Sequence, residues 1–185
     1  MNLLLDRVSD RTPSGFIIRD DFRESIRFEL LMQDPKIDEQ TKVGLALNIY
    51  YPTIPKDIQK AIEDMLWFYR CGKDLKTKHI SNQTKAKQIY SYEYDDELIY
   101  SAFMYQYNVD INSIEYLHWW KFKAMFEGLN KNNKIVEIMG HRAVDLSQIK
   151  DKEEKKRYRK LKQLYALPDM RTPEQKEEDF AMAFL

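Results

Sequence analysis

An all-α fold is what this sequence predicts, and three observations carry that expectation. Apolar residues recur three and four positions apart in one stretch after another, the spacing that lines one face of a helix. The 185 residues include only 5 Gly and 6 Pro, too few for the tight turns of a β-sandwich. Hydrophobic residues make up 43% and aromatics 13%, enough apolar material for a core and against wholesale disorder. The reading is an irregular bundle of about seven helices in two halves. A short extended segment is expected near the N-terminus.

That segment is Phe16 to Ile18, a brief apolar, β-branched run. The first helix is expected over Asp20 to Gln33, where Phe22, Ile26, Leu30 and Gln33 step by four or three. Asp34-Pro35 ends it, because the residue before proline is pushed out of the helical region. Asp38 caps a second helix running to Tyr50, with Val43, Leu45, Ala46, Leu47 and Ile49 as its apolar surface. Pro52 stops that helix, and Pro55 suits the first turn of a third. Ile58, Ile62, Met65, Leu66 and Tyr69 form the third stripe, and Gly72 closes it in a left-handed conformation.

From Lys73 to Gln88 the texture turns polar and lysine-rich, as in an exposed linker. Beyond it, Asp95, Asp96 and Glu97 belong at a helix start, where carboxylates meet the positive end of the dipole. That helix continues to Asn108. The next covers Ile114 to Glu127, with Leu117, Trp119, Trp120, Phe122, Met125 and Phe126, and Gly128 and Asn130 end it. Lys134 to Arg142 forms a short helix with Ile135, Ile138 and Met139 inward. Asp145 and Gln148 have the spacing of a cap and its partner and open a helix to Tyr165, seamed by Tyr158, Leu161, Leu164 and Tyr165. Thr172-Pro173-Glu174-Gln175 starts a last helix. The expected organisation is an N-terminal helical half over 1–72, a polar linker over 73–89, and an aromatic-rich C-terminal half over 90–185. One compact domain overall is the alternative.

Composition narrows function. Thirty basic and thirty acidic residues leave no net charge, whereas non-specific DNA binders carry a basic excess. A single cysteine, Cys71, permits neither an internal disulfide nor a Cys-rich zinc cage. No run reaches the roughly 18 apolar residues of a membrane helix, and the N-terminus lacks a signal-peptide core. A cytoplasmic location is therefore expected.

Catalytic patterns are missing. His79, His118 and His141 form no zinc-protease motif, and no nucleophile elbow, phosphate-cradling loop or dinucleotide fingerprint occurs. His118, beside Trp119, reads as a packed, hydrogen-bonded residue and Cys71 as a small buried hydrophobe. Asp20-Asp21 and Asp95-Asp96-Glu97 are explained by helix-start electrostatics. No enzyme, cofactor or metal is expected.

Two features remain. Lys150 to Lys162 carries eight basic and three acidic residues; Lys155, Lys156, Arg157, Arg159 and Lys160 form a candidate basic patch for phosphates, or a solvated helix face. Tyr90 to Phe126 is crowded with aromatics, more than one neighbour can bury. Surplus tyrosine and tryptophan often serve interfaces. Much of this cluster must be core, and pure core is the equal alternative to a protein-binding surface; Tyr94, Tyr100, Tyr105, Tyr107, Trp119 and Trp120 are the candidate partner-binding residues. Replacing Tyr100 and Tyr107 with Ser is expected to weaken partner binding and leave the fold intact.

Several blocks carry a resemblance. Tyr92-x-Tyr94-Asp95-Asp96-Glu97-Leu98-Ile99-Tyr100-Ser101-Ala102-Phe103 is followed by Tyr107-Asn108-Val109-Asp110-Ile111 and by Leu117-His118-Trp119-Trp120-Lys121-Phe122 with Gly128-Leu129. Together with Asp21-Phe22-Arg23, Arg142 and the run from Lys155 to Pro168, they resemble the phage "gene product fifteen" family of long-tailed phages and prophages of Gram-positive bacteria. The resemblance implies a gene among the tail genes, beside the tape-measure gene, and a tail assembly chaperone. Such a protein coats the tape-measure protein, as an oligomer and in some cases with a sister chaperone, in the host cytoplasm, and is absent from the finished virion. The 8 Met and 12 Tyr suit an adaptable binding surface. The alternatives are a structural head–tail connector or minor tail protein, and a nucleic-acid binder using the basic helix.

Overall fold

A computed structural model describes residues 3–73 and 88–169. Among them are seven helices: α1 (Phe22–Gln33), α2 (Glu39–Tyr50), α3 (Ile58–Tyr69), α4 (Asp96–Tyr107), α5 (Trp119–Glu127), α6 (Lys134–Ala143) and α7 (Lys152–Leu164). No strand occurs among the described residues. Two isolated bridges, Arg11 with Ile17 and Asp21 with His118, are the extended pairings present. The class is all-α, and Phe16 to Ile18 is an extended lead-in. Most of the polar linker at 73–89 and the whole helix expected from Thr172 lie outside the described residues.

Five helices begin behind an aspartate, and four of those side chains cap the helix they precede. The carboxylates of Asp21, Asp38, Asp57 and Asp151 accept the backbone N–H groups of Arg23, Thr41, Lys60 and Glu154, donors that a helix start otherwise leaves unsatisfied. Two starts differ from the sequence reading. α3 begins at Ile58 behind Asp57, not at Pro55. α7 begins behind Asp151, not Asp145, because the Asp145 carboxylate closes a local turn with the Ser147 N–H at 2.9 Å. α5 also starts late. It begins at Trp119 and not Ile114; ahead of it, Asp110 takes the N–H groups of Asn112 and Ser113 and closes a turn.

The helix ends are closed from elsewhere in the chain. Lys42 Nζ reaches the Met32 carbonyl at the end of α1, 3.2 Å away. Arg19 Nη1 takes the Asn48, Ile49 and Tyr51 carbonyls at the end of α2, at 2.6, 3.0 and 3.1 Å. Lys162 Nζ donates to the Arg142 and Val144 carbonyls at the end of α6. α4 closes itself, with Asn108 left-handed at φ 52°, as its position before a non-helical run requires.

The described residues form two compact units. The first takes 3–73, His118–Trp120 and 168–169; the second takes 88–117 and Lys121–Leu167. In the first unit α2 packs against both α1 and α3. Its core is aromatic: Phe28 lies 5.4 Å from Tyr50 and 4.9 Å from Tyr69 between ring centres, and Tyr50 lies 5.9 Å from Phe68. The buried hydroxyl of Tyr50 donates to Ser25 Oγ at 2.8 Å, and burial pushes that phenol far above its ordinary range. The inward faces are Ala46, Leu47 and Tyr50 on α2, and Ala61, Met65 and Phe68 on α3. Val43, Leu45 and Ile58, expected inside, are exposed.

In the second unit α6 packs against α4 and α7. Phe103 stacks on Phe122 with centres 5.0 Å apart, beside buried Ile99, Ile135 and Ile138. The Arg142 guanidinium grips buried Asp95 with two bonds, 2.6 and 2.9 Å. It also reaches the Tyr165 carbonyl at 2.6 Å and that of Ile89 at 3.1 Å. This is a different task for Asp95 from the helix-start role read from sequence: its side chain makes no cap bond to α4. No helix among the described residues is long and apolar enough to cross a membrane.

Candidate functional site

The paired tryptophans are structural. Trp119 is fully buried and Trp120 only 4% exposed. Trp119 Nε1 donates to the Tyr69 carbonyl at 2.9 Å and Trp120 Nε1 to the Phe68 carbonyl at 2.7 Å. Both carbonyls sit at the end of α3, where intrahelical donors run out. Trp119 also stacks flat on Tyr69, 9° from parallel. α3 ends in two consecutive left-handed residues, Cys71 at φ 57° and Gly72 at φ 68°. A Cβ on Gly72 would meet Trp120 Cη2 at 3.1 Å and Trp67 Cζ2 at 3.2 Å, so glycine serves both the turn and the close approach of the indoles.

His118 completes this joint. Its ring is buried, and Nδ1 accepts the Trp120 N–H at 3.0 Å, a side-chain cap on the start of α5. An accepting Nδ1 leaves the proton on Nε2, which lies 3.9 Å from Asp20 Oδ2. The Trp119 N–H donates to the Asp20 carbonyl at 2.8 Å. One three-residue block thus ties the lead-in of α1, the end of α3 and the start of α5. The two indoles, candidates for partner binding on sequence grounds, are core.

The other four candidates lie in the second unit and divide. Tyr107 is half-buried, and its hydroxyl donates to the Met125 carbonyl near the end of α5 at 2.8 Å, so it holds the fold. Tyr94 and Tyr100 are exposed, and Tyr105 is 72% exposed. On α4, positions 97, 100, 101, 104 and 105 are all exposed, and helical spacing puts them on one side. This side presents Tyr100, Met104 and Tyr105 to solvent. The Tyr100 hydroxyl bonds the Asp110 carboxylate, which raises the phenol's pKa, burial of the ring being the larger cause. The Asp110 carboxyl sits below its ordinary value, chiefly through its hydrogen bonds with Ser113. Met104, exposed on the same side of α4, extends the surface beyond the sequence candidates, and Tyr116 is also exposed. Met104 was legible, being one turn beyond Tyr100.

α7 carries the basic patch. Lys156, Arg157, Arg159 and Lys160 are exposed and Lys155 half-exposed, and no residue of the helix is buried. It is held through its inner edge, where Lys162 caps α6 and the Tyr165 ring stacks on His141, 5.8 Å between centres. Among the described residues no group of three His, Cys, Asp or Glu could hold a metal ion.

The model of a family described as Bacteriophage Gp15 protein matches residues 7–167. No curated protein and no solved structure matches the chain.

Proposed function

This chain belongs to the Bacteriophage Gp15 protein family, and from that premise we propose that it is a tail assembly chaperone. It binds the tape-measure protein in the host cytoplasm during tail morphogenesis, in many copies along the client, and is left out of the finished virion. It works by contact and not by catalysis, and a sister chaperone shares the client where one is encoded.

The observation that supports this reading is the exposed Tyr100–Met104–Tyr105 side of α4, with Tyr94 and Tyr116 also exposed. An elongated helical client is held through the apolar faces of its helices. Tyrosine and methionine adapt to varied partners, and weak contacts repeated along one client add through multivalency.

Co-expression with the tape-measure protein of the same phage or prophage, affinity purification and a mass measurement test the reading. A soluble complex carrying many copies of this chain supports it. An insoluble client and a chain found in purified virions would make it a connector or minor tail protein instead. A second reading, nucleic-acid binding, has the exposed basic side chains of α7 in its favour. It predicts a salt-sensitive gel shift that vanishes when Lys156, Arg157 and Lys160 are changed to Glu.

A further inference from the structure

We infer that the tyrosine face of α4 selects a partner helix whose apolar stripe is edged with lysine or arginine, an inference that rests on the client-binding reading above. The chain has 30 Lys and Arg, yet none lies between Gln88 and Trp120. The same stretch holds six carboxylates: Glu93, Asp95, Asp96, Glu97, Asp110 and Glu115. Asp95 is taken by Arg142 in the interior, and Asp110 bonds the Tyr100 hydroxyl. Glu93, Asp96, Glu97 and Glu115 are exposed. Glu97 stands one turn before Tyr100 and Ser101 on the exposed side of α4. The apolar contact area therefore starts from an acidic end, and no cation of its own segment neutralises it.

This composition decides between occupants. A phosphate backbone would be repelled by the carboxylates. A second copy could offer α7, whose exposed cations match the charge. Yet Leu164 is the one large exposed hydrophobe on α7 among the described residues, so α7 would leave Tyr100, Met104 and Tyr105 without apolar cover. An amphipathic helix with an apolar centre and basic edges meets both requirements. Exposed charge pairs are individually weak and screened by salt, so the carboxylates set selectivity while the rings and Met104 supply contact.

The test titrates the full-length protein, by fluorescence anisotropy, with two synthetic amphipathic helices. Both carry the same leucine stripe; one is edged with Lys and the other with Glu. At low salt the Lys-edged helix should bind about tenfold tighter, the order that a few exposed pairs supply together. The gap should narrow as NaCl is added. The double variant Glu93→Lys, Glu97→Lys should reverse the preference while its far-ultraviolet circular dichroism stays the same. Equal affinities, no binding of either helix, or an unreversed preference would overturn the inference. So would self-association of the free protein that the same reversal abolishes, since the face would then belong to a second copy. A tape-measure protein that co-purifies with a chain indifferent to peptide charge removes this inference and leaves the chaperone reading. A charge-selective chain that never holds the tape-measure protein does the opposite.

Discussion

The two units treat their tyrosines differently. In the first, Tyr50, Tyr51 and Tyr69 each have a fixed acceptor for the hydroxyl: Ser25, the Ala61 carbonyl and Glu29. Tyr50 and Tyr51 are buried and Tyr69 is half-buried. In the second unit Tyr94, Tyr100, Tyr105 and Tyr116 are exposed, and α7 buries nothing. Ring count alone does not separate core from contact surface. What separates them is how far the packing around each ring excludes water, because even exposed Tyr100 bonds the Asp110 carboxylate. The first unit buries or half-buries its aromatics and uses Trp119 and Trp120 to close the end of α3, and the second leaves four tyrosines exposed.

The largest expected effect falls on the joint of the first unit. Trp119→Ala removes a fully buried indole, its stack on Tyr69 and its bond to the Tyr69 carbonyl. A loss of about 3–5 kcal/mol in urea unfolding is expected. A loss below about 1 kcal/mol, ordinary for a surface site, would return Trp119 to the list of contact residues. Next comes the interior of the second unit. Arg142→Met strands the buried Asp95 carboxylate and frees the Tyr165 and Ile89 carbonyls. The expected cost is about 3 kcal/mol, the low end for a broken buried pair, because Asp95 still accepts the Ser91 N–H. Adding Asp95→Asn should recover part of that cost, as coupled partners are not additive.

These two sites also show what the sequence could and could not disclose. Aspartates before helices announced Asp21 and Asp38 correctly, because a cap lies within three residues of what it caps. Asp145 misled because the same short side chain also closes turns. Helix ends were opaque. Arg19, Lys42, Trp119, Trp120 and Lys162 each reach carbonyls far along the chain or beyond a turn, and no local pattern encodes such pairings. Trp119 and Trp120 were therefore counted among aromatics that could be core or contact surface, and packing puts both inside. The tyrosine side of α4 was half legible: periodicity places Tyr100, Met104 and Tyr105 near one another, but only packing decides that this is the side left out.

Acid should blur the comparison only slightly. The carboxyls of Asp38 in the first unit and Asp110 in the second both sit below their ordinary 3.8, held first by side-chain hydrogen bonds, to Thr41 and to Ser113 respectively. A depressed carboxyl stabilises the fold above the unfolded value and stops doing so as pH falls through its folded value. Stability should therefore be flat from neutral pH down to about 5 and then decline as both turns lose their acceptors. Asp38→Asn and Asp110→Asn should each flatten part of that decline in a pH series of melting curves.

The smallest effect on stability is the most informative for the contact surface. Tyr105 and Tyr107 are two residues apart on one helix, and the sequence offers no reason to treat them differently. Tyr105 is 72% exposed, so Tyr105→Ser should change stability by no more than about 0.5 kcal/mol. Tyr107→Ser removes a half-buried ring and its bond to the Met125 carbonyl, and should cost about 1–2 kcal/mol. If α4 presents a contact face, Tyr105→Ser should lower recovery of the tape-measure protein while Tyr107→Ser lowers it only as far as unfolding does. Equal recovery with both, at equal folded fraction, would move the contact away from α4. A Tyr105→Ser variant that melts early would mean that a ring exposed in the free chain is packed in solution. The contrast between a unit that encloses its tyrosines and one that leaves Tyr94, Tyr100, Tyr105 and Tyr116 exposed would then fail at the residue that states it most clearly.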